Sequence, residues 1–195
     1  MSGDLATQPV SAKINTAKQK KDTGDQAFKN GDLKAALQSY HEALMYLVGL
    51  DKNALESMGA SSSAKPGSPE SEQKTEIDEL ISKIYANMSA CHIKQGNWKR
   101  TIETADKALT KNEKNYKAMF RKAKALGEQG YFEKAEALLK KLKEQNPTDA
   151  SAADAELSRL RTIDNERDRV NRQRMKGFLK KQDLSSQDKN AEEAV

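Results

Sequence analysis

The sequence predicts an all-α chain of stacked helical hairpins, and three observations carry that reading. Gly96 and Gly130 lie 34 residues apart (130 − 96) in matching settings, Asn87-x8-Gly96-x-Trp98 and Arg121-x8-Gly130-x-Phe132. A period of that length marks a helix–turn–helix repeat that stacks into a solenoid. Between the turns, apolar residues recur at spacings of three and four, as one buried helix face requires. Finally, 36% of the residues are apolar, 32% are charged and only 4 are proline. That balance suits many amphipathic helices better than one thick core.

Residues 1–12 lack periodicity and read as a disordered tail. The repeat region spans 13–147. Its first helix begins near Ile14 and runs to Asn30, where Gly31-Asp32 breaks it. The second carries Leu33, Ala36, Leu37, Tyr40, Ala43, Leu44 and Leu47 on one face. From Gly31 to Gly96 is 65 residues, one period plus 31 (65 − 34), so a surplus lies between the second and third helices. Residues 58–73 there are polar and rich in Ser, Gly and Pro. Such a stretch buries too little to fold, and a disordered insert is expected at about 52–73. Ile77, Leu80, Ile81 and Ile84 begin the third helix, which stops at Gly96.

Trp98, Ile102, Ala105, Ala108 and Leu109 mark the fourth helix, and Asn112 to Asn115 a polar turn. The fifth carries Tyr116, Met119, Phe120, Ala123 and Leu126; the sixth carries Phe132, Ala135, Leu138, Leu139 and Leu142. Asn146-Pro147 ends it, because a residue before proline is driven from the helical region. Thr148 or Asp149 can cap a seventh helix. It is expected over 148–181, with Leu157, Leu160, Ile163 and Val170 on one face covering the last repeat, and 182–195 as a flexible tail. Met45, Met88 and Met119 read as core filler.

Several function classes fall away. No apolar run approaches the ~18 residues that span a bilayer, and the polar, acidic start has no signal-peptide core. A single cysteine, Cys91, makes no internal disulfide and fits a reducing compartment. A net charge of +5, with acids and bases interspersed, is too mild to mark a nucleic-acid binder. Cys91-His92 has no second ligand pair, which leaves no case for a metal site. No Ser/His/Asp set, phosphate loop or paired-carboxylate constellation is present, so neither a cofactor nor an enzymatic activity is expected.

These residues resemble the tetratricopeptide repeat (TPR). The small residue of each first helix is Gly24, Ser89 or Ala123. The turn glycines are Gly31, Gly96 and Gly130, followed by Leu33, Trp98 and Phe132. Ala36 and Ala135 match the second-helix alanine, with Thr101 as a departure, and Pro147 fits the closing proline of the third repeat. The resemblance covers about 14–147 and implies a right-handed superhelical solenoid of three repeats with a C-terminal capping helix. More narrowly, Tyr40-His41-Glu42-Ala43-Leu44, continuing to Gly49-Leu50-Asp51 and a long insert, resembles the tetratricopeptide repeat protein 9 family. That group is akin to the repeat domains of the large immunophilins; with only a short tail before the repeats, no prolyl-isomerase domain is expected.

In such a solenoid the first helices of each pair line the concave side. The first offers Lys21, Asp25 and Phe28, the third Asn87, Ala90 and Lys94, the fifth Lys117, Arg121 and Lys124. Together they make a basic, partly amide-lined trough suited to a carboxylate. Phe28 and Ala90 fit helix packing as well as ligand contact. Related chaperone adaptors use a carboxylate clamp for the C-terminal Glu-Glu-Val-Asp of cytosolic heat-shock proteins of the seventy- or ninety-kilodalton class. Lys21, Asn87, Lys117 and Arg121 match that pattern, whereas Asp25 stands where asparagine is expected. Two carboxylates in contact repel by about 4 kcal/mol at an effective dielectric of roughly 20. Lys21, one turn away, can neutralise Asp25; a proton, water or cation can bridge it.

The resemblance implies a cytoplasmic, non-catalytic co-chaperone that takes the acidic tail of a chaperone. The alternative is a general scaffold. The stretch from Arg159 to Lys181 is basic, with Met175, Phe178 and Leu179 as an apolar edge, and reads as a solvated cap or as a contact for calmodulin, an anionic membrane or RNA.

Overall fold

The computed structural model describes residues 9–47, 50 and 69–192. Among them lie seven α-helices, one 3₁₀ turn and no strand: α1 (Val10–Lys29), α2 (Leu33–Leu47), α3 (Pro69–Lys94), α4 (Trp98–Lys111), α5 (Tyr116–Glu128), α6 (Phe132–Gln145), the turn Pro147–Asp149, and α7 (Ala150–Glu192). Consecutive helices pack as antiparallel hairpins, α1 on α2, α3 on α4 and α5 on α6, with α3 also touching α1 and α5.

The three hairpin turns share one hydrogen-bond pattern. Gly31, Gly96 and Gly130 have φ of 85°, 68° and 88°, the left-handed region that a Cβ disfavours. In the first turn Asp32 N donates to Ala27 O at 3.0 Å and Gly31 N to Phe28 O at 3.2 Å. The same two bonds close the second turn (Asn97 to His92, Gly96 to Ile93) and the third (Tyr131 to Leu126, Gly130 to Gly127). This Schellman pattern satisfies the last carbonyls of each first helix. The next residue then caps the following helix: Asp32 Oδ1 accepts from Ala35 N at 2.9 Å, and Asn97 Oδ1 from Arg100 N at 3.1 Å. One Gly-Asx pair therefore ends one helix and starts another.

Apolar burial follows the hairpins. Ile14 and Ala17 of α1 meet Ala36, Tyr40, Ala43 and Leu47 of α2 and Ile77 to Cys91 of α3. A second cluster joins Met119, Ala123 and Leu126 of α5 to Leu139 and Leu142 of α6 and to Ala153, Leu157 and Leu160 of α7. Between them, α3, α4 and α5 approach through the buried alanines Ala86, Ala105, Ala108 and Ala118, flanked by Tyr85 and Leu109. Small residues also set two close crossings. A Cβ on Gly24 would fall 2.6 Å from Cε1 of Tyr40, and one on Gly127 2.3 Å from Cδ2 of Leu160. Thr101, in the place of the repeat's alanine, is fully buried and donates its hydroxyl to Asn97 O at 2.9 Å.

Four expectations need correction. Helix α1 starts at Val10, before the anticipated Ile14, because extended Pro9 serves as its N-cap residue and no breaker follows. Helix α3 starts at Pro69, inside the expected insert; proline at the first helical position forfeits no intrahelical bond. Residues 52–68 of that insert lie outside the described residues. Helix α7 runs to Glu192 instead of ending near Lys181, since 182–192 contain neither glycine nor proline. Met45 is 63% exposed and Val170 42% exposed, so neither belongs to the core, while Met88 and Met119 do. Arg167 is the last residue of α7 bonded to the repeats among the described residues; its guanidinium donates to Gly127 O at 2.9 Å and Glu128 O at 2.7 Å. Every residue from Asp168 to Phe178 is exposed. No helix among the described residues is long and apolar enough to cross a membrane.

Candidate functional site

Helices α1, α3 and α5 turn one face each toward a common trough. It contains two cavities, of about 240 and about 450 Å³, which share Phe28, Ala90 and Arg121 as lining. The smaller also reaches Asp25, Lys29, Tyr40 and Asn87. The larger extends past Ile93, Lys94, Tyr116, Lys117, Phe120 and Lys124 to Asp149 and Ala152 at the start of α7.

Asp25 is the hub of the smaller cavity. Its Oδ2 accepts from Lys21 Nζ at 2.6 Å. Its Oδ1 accepts from the Tyr40 hydroxyl at 2.6 Å and from Asn87 Nδ2 at 2.8 Å. Burial alone would raise the pKa of Asp25. Hydrogen bonds from Lys21, Tyr40 and Asn87, with the charge of Lys21, outweigh it and hold the carboxyl below its ordinary value. Burial likewise opposes the charge on Lys21, and the bond to Asp25 outweighs it, so its pKa is raised. Tyr40 is held well above its usual value, first by burial and then by Asp25. All three donors therefore serve an anion that the chain itself supplies.

Arg121 lies on the other wall. One guanidinium nitrogen donates to Ala86 O at 2.6 Å, one residue before Asn87. Burial lowers its pKa, yet a guanidinium keeps its proton. Among the described residues no carboxylate pairs with it, and the same holds for Lys117 and Lys124. Lys117, one helical turn before Arg121, is exposed at the mouth. The Lys94 ammonium stands 4.3 Å from the centre of the Phe28 ring, a cation–π contact that pins both residues at the trough wall.

The trough thus gathers Asp25, Phe28, Asn87, Ala90, Lys117, Arg121 and Lys124, with Lys21 bonded from behind to Asp25. Phe28 and Ala90 are half-buried and line both cavities. The sequence reading missed Tyr40, taken as helix packing, and Lys29, Tyr116, Phe120 and Asp149. The signal for Tyr40 was Gly24, whose missing side chain lets the ring cross α1. The arrangement combines one satisfied acid with an unpaired, partly desolvated guanidinium. It can bind an anion beside Arg121.

Comparison with known proteins agrees with this architecture. The tetratricopeptide-repeat family model matches residues 92–160. FK506-binding protein 5 of Rhizopus delemar is 29% identical over 124 residues, which is 64% of this chain and 28% of that protein's length. Zinc finger CCCH domain-containing protein 7B of Homo sapiens is 30% identical over 112 residues, 57% of this chain and 10% of its own length. The chain therefore spans about a quarter or less of these relatives. Among solved structures, the C-terminal TPR-containing domain of a Plasmodium falciparum FK506-binding protein superposes with a TM-score of 0.63 at 19% identity, over 85% of this chain and 99% of that one. The first TPR of Spaghetti (RPAP3), bound to the HSP90 peptide SRMEEVD, gives 0.55 at 15% identity, over 77% and 96%. The narrower likeness to the tetratricopeptide repeat protein 9 family rests on the run from Tyr40 alone.

Proposed function

We propose that this chain, a tetratricopeptide-repeat solenoid, is a non-catalytic adaptor whose trough takes the acidic C-terminal peptide of a cytosolic heat-shock chaperone. The observation that carries the reading is Arg121: a half-buried guanidinium without a carboxylate partner among the described residues, with Lys117 one turn away and Asn87 across from it. A partly desolvated cation without a counter-ion is unfavourable, and a ligand carboxylate relieves that through charge-assisted bonds of roughly 1.5–3 kcal/mol. Lys94, Lys117 and Lys124 provide the surrounding positive field for a peptide rich in glutamate. The RPAP3 domain, which shares the fold, holds a peptide ending Glu-Glu-Val-Asp. A cytoplasmic location follows from such a partner.

The test is isothermal titration with a free-acid heptapeptide ending Glu-Glu-Val-Asp against the same peptide with a C-terminal amide. Micromolar binding of the acid corresponds to about −8 kcal/mol. Arg121→Ala should weaken it tenfold or more, and amidation likewise. Equal binding of acid and amide, or indifference to Arg121→Ala, ends the proposal. A second reading, a scaffold that recruits partners through α7, is favoured by the exposure of Met175 and Phe178 beside Arg172 and Arg174. It requires partners that survive Arg121→Ala and are lost when residues 168–195 are deleted.

A further inference from the structure

The smaller cavity already contains an anion, and this bears on which peptide end fits it. Lys21, Tyr40 and Asn87 converge on Asp25 from three different helices, at 2.6, 2.6 and 2.8 Å. Lys21 and Asn87 are the residues that would otherwise meet a ligand carboxylate on this wall. With Asp25 between them, their charge and one amide proton are committed. The opposite wall is unmatched, since Arg121 donates to a carbonyl, Ala86 O, and forms no ion pair among the described residues.

We propose that Asp25 makes this trough a reader of one carboxylate instead of two: it takes a Glu-Glu-Val-Asp end as the weaker ligand and prefers an acidic peptide whose terminal residue offers a hydrogen-bond donor, such as an amide, where the second acid would otherwise sit. The inference rests on the trough binding a peptide C-terminus. The α-carboxylate goes to Arg121 and Lys117. The side chain of the last residue then enters the cavity of about 240 Å³ between Asp25, Tyr40 and Asn87. There it meets the Asp25 carboxylate and the Tyr40 oxygen, both acceptors because the Tyr40 hydroxyl already donates its hydrogen bond to Asp25. An aspartate side chain brings a second negative charge against Asp25, which its bonds keep ionised. An asparagine side chain has the same shape and brings two N–H donors instead. Discrimination of this kind, by an unpaired charge against the wrong ligand, works without any loss of contact area.

The experiment compares two free-acid heptapeptides, identical except for a final Asp or a final Asn, on the wild-type chain and on Asp25→Asn. Circular dichroism melts of both proteins check folding. The wild type should bind the Asn-ended peptide at least tenfold more tightly, and Asp25→Asn should abolish or reverse that preference. A wild type that binds the Asp-ended peptide equally well or better overturns this inference and leaves the proposed function standing. So does a preference that Asp25→Asn does not change. Binding of neither peptide to either protein overturns the proposed function, and this inference with it.

Discussion

The hydroxyl of Tyr40 donates to Oδ1 of Asp25 at 2.6 Å, across the space that Gly24 leaves open on α1. An outer-helix residue thereby orients a side chain of the inner face. Tyr40 is only 1% exposed, and its hydroxyl reaches Asp25 at the wall of the smaller cavity. Tyr40→Phe keeps the ring packing and strips one donor from a charged acceptor. The expected cost is about 1.5–3 kcal/mol, the range for hydrogen bonds to ionised groups. Urea unfolding at pH 7 measures it, and a change below about 0.5 kcal/mol would show that the hydroxyl is immaterial to Asp25.

The same network makes stability depend on acid. Asp25 has a pKa in the folded chain below its ordinary value, because the bonds from Lys21, Tyr40 and Asn87 outweigh burial. A carboxyl of this kind binds its proton more readily in the unfolded state, at about pH 3.9. Its contribution is thus complete above that pH and is lost as pH falls through the depressed folded value. Asp25→Asn removes the titration. The stability difference between wild type and Asp25→Asn should therefore shift against the wild type as pH drops from about 5 to 2. Parallel stability curves over that interval would mean that Asp25 is not preferentially charged in the folded chain.

The repeats were legible because their turns are local chemistry. Gly31, Gly96 and Gly130 occupy left-handed backbone that few other residues accept, and Asp32 and Asn97 announce the next helix. The trough residues were legible because residues three and four apart on one helix must share a face. What escaped depends on contacts between elements distant in the chain. Tyr40 looks like any other apolar position of α2, and only its crossing over Gly24 brings it to Asp25. Val170 continues the apolar spacing of Leu157, Leu160 and Ile163, yet it is exposed because no repeat lies beneath it to be covered. Spacing alone suggests the Lys21–Asp25 pair, one turn apart, but not that Tyr40 and Asn87 join it from two other helices.

The third turn lacks a feature the second has. Tyr131 is the N-cap of α6, with φ −88° and ψ 59°, and makes no side-chain cap bond. Asn97, N-cap of α4, has φ −87° and ψ 77° and accepts from Arg100 N. The backbone of Tyr131 is therefore already close to that of a working asparagine cap. Tyr131 is 51% exposed, and the Lys134 ammonium lies 5.1 Å from its ring centre. Tyr131→Asn should accept a bond from Lys134 N and stabilise the chain by about 0.5–1 kcal/mol. A thermal melt decides it, and a lower melting temperature would show that the ring contact outweighs the cap.

The length of α7 separates two kinds of helix within one element. From Ala150 to Arg167 it is a component of the core: Ala153, Leu157 and Leu160 are buried against α5 and α6, and Arg167 closes the carbonyl end of α5. From Asp168 to Phe178 every residue is exposed, and the ion pairs there, Arg169 with Glu166 and Arg172 with Asp168, lie within the helix itself. Exposed pairs of that kind contribute little. A chain ending after Gln173 should therefore unfold within about 0.5 kcal/mol of the full-length protein. Leu160→Ala in the full chain should by contrast cost about 2–5 kcal/mol, since it empties a space packed by α5 and α6. Arg167→Ala should fall between these, at about 1–2 kcal/mol, and should raise amide exchange at the α5 end without affecting α1 or α2. If truncation after Gln173 proved as damaging as Leu160→Ala, the exposed half of α7 would have to rest on a surface of this chain in solution.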